Sequence, residues 1–74
     1  MSTKKARHAA ADAEPLAYSI NTLSGVLEMS KSAIYKMISA GKFPKPRMLS
    51  ARAARWDAGE VRAWLDARPH RDSP

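Results

Sequence analysis

Residues 30–47 read SKSAIYKMISAGKFPKPR, and this stretch decides which fold the sequence predicts. Its first half has apolar residues at helical spacing, and its second half has a glycine followed by two prolines. Five of its residues are lysine or arginine, and none is acidic. The pattern indicates a short amphipathic helix with a cationic outer face, followed by an extended segment.

The helix predicted here begins after Ser30, a residue type that caps helix N-termini well. Its inner stripe consists of Ala33, Ile34, Met37 and Ile38. Gly41 stands where a left-handed residue commonly ends a helix. The residue before each proline is disfavoured in helical conformation, so we expect FPKPR to leave the helix as an extended chain. A helix over residues 30–40 would be about 16 Å long, which suits a DNA major groove.

Positive charge is concentrated in the middle of the chain. The 74 residues have a net charge of +6, and residues 31–55 hold seven bases and no acid. A solvated face could carry such a run, but ordinary solvated faces mix both signs. The segregation of one sign therefore favours a polyanionic partner.

The composition limits the other classes of protein. A chain of 74 residues predicts one small domain. There is no cysteine, which excludes disulfides and thiolate metal sites. No apolar run is long enough for a membrane span, and no signal-peptide pattern follows the N-terminal lysines. We expect a cytoplasmic, nucleoid-associated bacterial protein.

The sequence indicates neither a metal site nor a catalytic site. His8 and His70 lie in opposite tails, and a metal site would need more ligands than these. The sequence shows neither a Ser-His-acid arrangement nor paired carboxylates on an ordered element. We therefore expect no metal, no cofactor and no enzymatic activity.

A first helix is predicted before this one. Ser19 is a good cap, and Ile20, Leu23 and Leu27 follow at helical spacing with Ser24 as a small polar member of the stripe. Residues 28–29 leave only a tight connection to the second helix. Two helices joined by a three- or four-residue turn make a helix-turn-helix, whose second helix reads DNA.

A hairpin and a third helix are predicted after it. Residues 48–49 and 54–56 are strand-like and flank a turn at residues 50–53. Asp57 followed by Glu60 resembles a capping box, and the helix it opens ends before Pro69. Its inner face is predicted to consist of Val61, Trp64 and Leu65. Trp56 and Trp64 are expected in the core rather than as a base-stacking platform.

The predicted fold is mainly α with a small β-hairpin, a winged helix-turn-helix of three helices plus a wing. We divide the chain into a disordered tail over residues 1–15, the DNA-binding domain over residues 16–68 and a polar tail over residues 69–74.

Residues 16–69 resemble a known family. The matching pattern is Ser30-x3-Ile34-Tyr35-x2-Ile38-x2-Gly41-x-Phe43-Pro44-x-Pro46, then Arg52-x2-Arg55-Trp56, then Glu60-Val61-x2-Trp64-Leu65. This is similar to the AlpA-like phage regulatory proteins and excisionases, winged helix-turn-helix domains related to the DNA-binding part of MerR regulators. Two positions depart from the family: Glu28 stands where the turn often has glycine, and residues 50–51 replace a frequent Gly-Gly at the wing tip. At Glu28 either a strained residue or a reshaped turn is expected.

The resemblance implies where DNA is contacted. It assigns to the recognition helix Ser30, Lys31, Ser32, Tyr35 and Lys36, and it places Arg52 in a wing over the backbone or the minor groove. Ser30 is also a cap, and Tyr35 could equally serve core packing. Arg55 is expected to face outward if Trp56 faces the core. Lys42, Lys45 and Arg47 are expected to face either phosphate or solvent.

The leading functional hypothesis is an excisionase, a recombination directionality factor that binds and bends attachment-site DNA and helps an integrase. It could associate head-to-tail on the DNA. The nearest alternative is an AlpA-type transcriptional regulator with the same fold. A more distant one is a small basic phage module that binds an acidic protein surface.

Overall fold

The computed structural model describes residues 15–71. Its elements, in chain order, are β1 (Ala17–Tyr18), α1 (Ile20–Leu27), α2 (Lys31–Ser39), β2 (Arg47–Ser50), β3 (Ala53–Asp57) and α3 (Ala58–Asp66). Three helices with a small antiparallel hairpin confirm the predicted winged helix-turn-helix. The tail predicted over residues 1–15 lies outside the described residues except for its last position, and so do residues 72–74.

The helix caps are those that the sequence predicts. The Ser19 hydroxyl accepts a hydrogen bond from the amide of Thr22 at 3.2 Å, and the Ser30 hydroxyl accepts one from Ala33 at 3.1 Å. Asp57 accepts from the amide of Glu60 at 2.8 Å and opens α3. Each bond satisfies an amide that has no partner inside its helix.

The turn between α1 and α2 holds Glu28 in the left-handed region, at φ 55° and ψ 42°. The amide of Glu28 donates to the Gly25 carbonyl at 3.3 Å, and the amide of Met29 donates to Ser24 at 3.1 Å. These two bonds form a Schellman motif. The turn therefore keeps the geometry that suits glycine, and Glu28 is strained rather than accommodated by a reshaped turn.

Ser24 has a specific role in this turn. Its hydroxyl donates to the carbonyl of Met29 at 2.6 Å across five residues. The partly buried side chain therefore joins the last turn of α1 to the segment leading into α2. The polar member of the apolar stripe thus stabilises the helix-turn-helix connection.

The end of α2 uses the same motif with the expected glycine. Gly41 has φ 73°, its amide donates to Ile38 at 3.0 Å, and the amide of Lys42 donates to Met37 at 2.8 Å. The left-handed residue reverses the chain, so residues 42–46 run back along the domain towards β2.

The sheet has three antiparallel strands in the order β1-β3-β2. In β1, Ala17 and Tyr18 lie opposite Asp57 and Trp56. The strand β1 could not be predicted from the sequence, because two residues are too few to show alternation. The strand attaches the start of the domain to the strand that carries Trp56.

The wing hairpin closes with an irregularity in β2. Met48 lies opposite Ala54 and Ser50 lies opposite Ala53, which leaves Leu49 as an extra residue. Within residues 15–71 positive φ occurs only at Glu28 and Gly41, so the turn at residues 51–52 is not type I′. A bulge therefore joins the strands where a Gly-containing tip would have allowed a regular hairpin.

The core takes side chains from every helix, from β3 and from the segment between α2 and β2. Its buried members are Leu23, Ile34, Phe43, Trp56 and Val61. Met37, Ile38 and Trp64 are partly buried against them. Leu65 was predicted on the inner face of α3 but is 43% exposed. Val61 and Trp64 take the core-facing positions, and Leu65 lies at the rim of a surface groove beside Val26.

Among residues 15–71, none of the helices combines the length and the apolar character needed to cross a lipid bilayer.

The two Schellman turns predict opposite effects of glycine. We expect Glu28→Gly to raise the free energy of unfolding by up to about 1 kcal/mol, because a left-handed backbone strains residues that carry a Cβ. Gly41→Ala should lower it by about 1 kcal/mol. Among the described residues, nothing apart from its two chain neighbours lies within 4 Å of the position that its Cβ would take, so the backbone conformation causes the loss.

Urea unfolding of the two variants checks this pair. Glu28→Ala is the control, because it removes the charge and keeps a Cβ at the strained position. Equal stabilisation by alanine and glycine at residue 28 would show that charge, rather than backbone strain, limits stability there.

Candidate nucleic-acid interface

The outer face of α2 is a shallow, exposed surface. Its centre is an open concavity lined by Ser32, Tyr35, Lys36, Ser39 and Ala40. Lys31 is also exposed, whereas Ile34 on the opposite side is completely buried. The helix is therefore anchored by one side and presents the other to solvent. At nine residues it is about 14 Å long, and the major groove is about 12 Å wide.

Tyr35 packs against the core and is also exposed. Its ring meets the ring of Trp56 edge-on, with 6.2 Å between the centroids. The residue is nevertheless 47% exposed. Packing on Trp56 therefore fixes the position of a phenol ring that is still part of the outer surface.

Ser30 is a cap, as the bond to Ala33 shows, and it is also exposed. A hydroxyl that accepts a hydrogen bond keeps its own proton to donate. The first turn of α2 contains no acidic residue. Hydroxyl, helix N-terminus and Lys31 together make this end of the helix attractive to a phosphate.

The segment after α2 is held by its backbone, which leaves its lysines free to face outward. The indole of Trp64 donates to the Lys42 carbonyl at 2.7 Å, and that of Trp56 donates to Pro44 at 3.0 Å. Between them Phe43 is buried, with its ring edge-on to Trp64 at 4.7 Å. Lys42 and Lys45 are both exposed.

The two wing arginines differ in exposure. Arg52 lies in the turn and is exposed, and its amide donates to the Ser50 hydroxyl at 3.3 Å. Arg55 is half-buried, and its guanidinium donates to the Ala54 carbonyl at 2.8 Å. Trp56 is completely buried, and the other four residues of β3 are all intermediate in exposure, so Arg55 does not face fully outward as expected. Arg52 is the more available of the two for a ligand.

Arg47 has a partner within the domain. Its guanidinium donates to the Glu60 carboxylate at 2.8 Å, and the two side chains are 67% and 40% exposed. The capping box expected at α3 is therefore only half formed, because the carboxylate of Glu60 turns towards β2. Arg47 is thus less available to phosphate than Lys42 or Lys45.

Ser39 was missed as a candidate. It lines the same concavity as Ser32, Tyr35 and Lys36. The four positions follow the i, i+3, i+4, i+7 spacing of one helix face. Extending the outer stripe by one turn would have found it.

Within residues 15–71, no three His, Asp or Glu side chains come together in a group that could hold a metal ion.

The comparison with models of protein families gives a match. The family model described as prophage CP4-57 regulatory protein (AlpA) matches residues 22–69, which is more than half of the chain. The matched range contains the turn, α2, the indole-bound segment, the wing and α3. No curated protein matches the chain.

The Arg47–Glu60 pair predicts a gain of DNA binding. Glu60→Gln should raise the affinity for duplex DNA and steepen its salt dependence by up to about one unit, because it releases Arg47 for a phosphate. Asp66→Asn is the matched control, since it removes one negative charge from a pair with Arg62 on the same helix. Fluorescence anisotropy at several salt concentrations measures both. Equal effects of the two variants would mean that only net charge changes.

Proposed function

Because the chain belongs to the AlpA family of phage-associated DNA-binding regulators, we propose that it is the excisionase of a phage or integrative mobile element. In this role it binds double-stranded attachment-site DNA, bends it, and helps an integrase to assemble the excisive complex. The observation that carries the proposal is a set of exposed cationic side chains on α2, on the segment after it and in the turn of the wing: Lys31, Lys36, Lys42, Lys45 and Arg52.

The assigned contacts follow from the exposure of each side chain. Lys31, Ser32 and Lys36 enter the major groove with α2, and the Ser30 hydroxyl and the Tyr35 phenol contact its edges. Lys42 and Lys45 contact phosphates, and Arg52 contacts the minor groove or the backbone of the wing site. Arg55 supports the wing from its half-buried position, and Arg47 contributes only when Glu60 releases it.

The length of α3 supports an architectural role. This helix covers Ala58–Asp66 and is about 14 Å long. The coiled coils that pair MerR-type regulators need sustained heptads, which nine residues do not provide. Copies that contact each other head-to-tail along repeated sites would form an open array on DNA. We include such self-association, and contact with an integrase, in the proposal.

We also propose that the protein acts by binding and not by catalysis. Asp57 caps α3, Glu60 holds Arg47, and Asp66 pairs with Arg62 at 3.4 Å. Three of the four acids within residues 15–71 therefore have structural partners.

A transcriptional regulator is the second candidate. The matched family is described as a regulatory protein. The same α2 and wing would serve at a promoter, and a fold does not by itself choose between these functions.

Footprinting across the attachment site and neighbouring promoters, paired with an excision assay, separates the two. The excisionase proposal expects protection of tandem sites at the attachment region and stimulation of integrase-dependent excision. Protection confined to a promoter, or a symmetric dimer on a palindrome, would support the regulator instead.

Lys36→Ala tests the contact surface itself. If about five phosphates are neutralised, the logarithm of the binding constant falls with log salt at a slope near −4.5. Lys36→Ala should reduce this slope by about one unit and weaken binding to all sequences alike. Arg62→Ala is the control, because it removes the same charge from an exposed position on α3.

Anisotropy titrations at several salt concentrations measure the slopes. A reduction of equal size in both variants would count against the assigned surface. Weak, sequence-independent binding by the unmodified protein would favour an acidic protein as the partner.

A further inference from the structure

The wing carries two large apolar side chains where its neighbours are basic. Met48 is 58% exposed and Leu49 is 69% exposed. Both lie within the run from Lys31 to Arg55 that contains no acid. Contiguous exposed apolar groups that are rimmed by polar residues are a feature of interaction sites.

The hairpin itself exposes them. Met48 lies opposite Ala54, and the next pair joins Ser50 to Ala53, so β3 offers only methyl groups at this end of the wing. Leu49 is the extra residue of the bulge, and bulges commonly re-aim a side chain. All four residues of β2 are exposed, so none of the elements described within residues 15–71 covers this strand.

Met48 lies on the sheet face that looks towards the recognition helix. Residues directly opposite in an antiparallel pair share a face, so Met48 shares that of Ala54 and hence of Trp56. The ring of Trp56 on this face meets Tyr35 of α2. Met48 and Tyr35 of α2 are therefore linked through one buried indole.

We propose that Met48 and Leu49 form an apolar wedge that enters the minor groove and partly unstacks one base step, kinking the DNA. This proposal rests on the DNA-binding function proposed above. Proteins that bend DNA commonly insert leucine or methionine between base pairs from the minor-groove side. The positive charge of the wing favours DNA as its ligand, because Arg52 at the tip and Arg55 beside it suit a groove lined by phosphates. The nearby carboxylate of Glu60 is already paired with Arg47.

The wedge gives the bend a defined position. Pyrimidine–purine steps such as TA and CA unstack most easily, so the wing would favour these steps without a hydrogen bond to either base. The recognition helix fixes the position of the protein along the DNA through the major groove. The wing then favours an easily unstacked base step at a fixed distance from that helix. An arginine at the wing tip alone would read only the width of the groove.

The test uses a DNA duplex of about three helical turns, which is selected from a random pool by its binding to the protein. 2-Aminopurine replaces adenine at each TA or CA step in turn, and its fluorescence rises when that base is unstacked. Dyes at the two ends report the bend by energy transfer. The wild-type protein should raise the fluorescence at one step and bend the duplex by about 20–90°.

The variant Met48→Ala, Leu49→Ala should return the fluorescence to that of the free duplex and reduce the bend. The slope of its log binding constant against log salt concentration should stay unchanged, because the lost groups carry no charge. Its affinity should fall on the intact duplex and recover on one with a mismatch at the same step, where unstacking is easier. Met48→Gln, Leu49→Asn removes the apolar character while keeping the size, and it should behave in the same way.

Leu16→Ala is the matched control. Leu16 is apolar and 90% exposed, but it precedes β1 and lies outside the wing. We expect it to leave unstacking and bending at the wild-type level. A thermal melt of each variant verifies that the domain is folded.

Three results would overturn the wedge while leaving DNA binding intact. They are binding with a steep salt slope but no fluorescence rise at any step, full unstacking by both double variants, and loss only of cooperative occupancy of adjacent sites. The last result would assign Met48 and Leu49 to contact with a second copy. Absence of duplex binding by the wild-type protein would overturn the proposed function as well.

Discussion

The arrangement of the domain depends on two indole N–H groups that hold one short segment. Trp64 donates to Lys42 and Trp56 donates to Pro44, and Phe43 between them is buried. This segment contains prolines, which lack an amide donor, so it cannot be secured by a regular backbone ladder. The indoles instead bind its carbonyl groups and join the end of α2 to β3 and α3. The orientation of the recognition helix relative to the wing therefore follows from two side chains that also form the core.

The charged side chains of the domain are also unevenly distributed. Two acids that follow the cationic run are engaged, since Asp57 caps α3 and Glu60 pairs with Arg47. Seven bases from Lys31 to Arg55 face no acid within their own segment. Such a surface repels itself in the free protein, and a polyanion relieves this repulsion. Binding to the folded state alone adds stability by mass action, about 2.7 kcal/mol when the DNA is at a hundred times its dissociation constant.

Features that depend on a few neighbouring residues could be predicted from the sequence. The caps at Ser19, Ser30 and Asp57 and the left-handed Gly41 are such features, because each is settled within one helical turn. Contacts between distant residues could not be predicted: the indole of Trp64 reaches a carbonyl 22 residues away, and Arg47 reaches Glu60 across 13. The strand β1 forms because β3 has a free edge, and its two residues show no pattern of their own. The exposure of the outer side chains of α2 could be predicted from their helical spacing. The pairing of Arg47 with Glu60 could be seen only in the tertiary structure.

The choice between recombination and regulation depends on how the binding free energy is used. In a regulator that only occupies a promoter, the whole binding free energy from contacts with phosphates and base edges contributes to affinity. An excisionase must use part of it to deform DNA, at a cost of order 1–6 kcal/mol for a bend of 40–90° over one site. In this domain the cationic contacts of α2 and residues 42–45 can supply affinity, while the exposed Met48 and Leu49 contribute nothing to phosphate binding. In the proposed excisionase role these two side chains serve to deform the DNA, a use that occupancy of a promoter does not require.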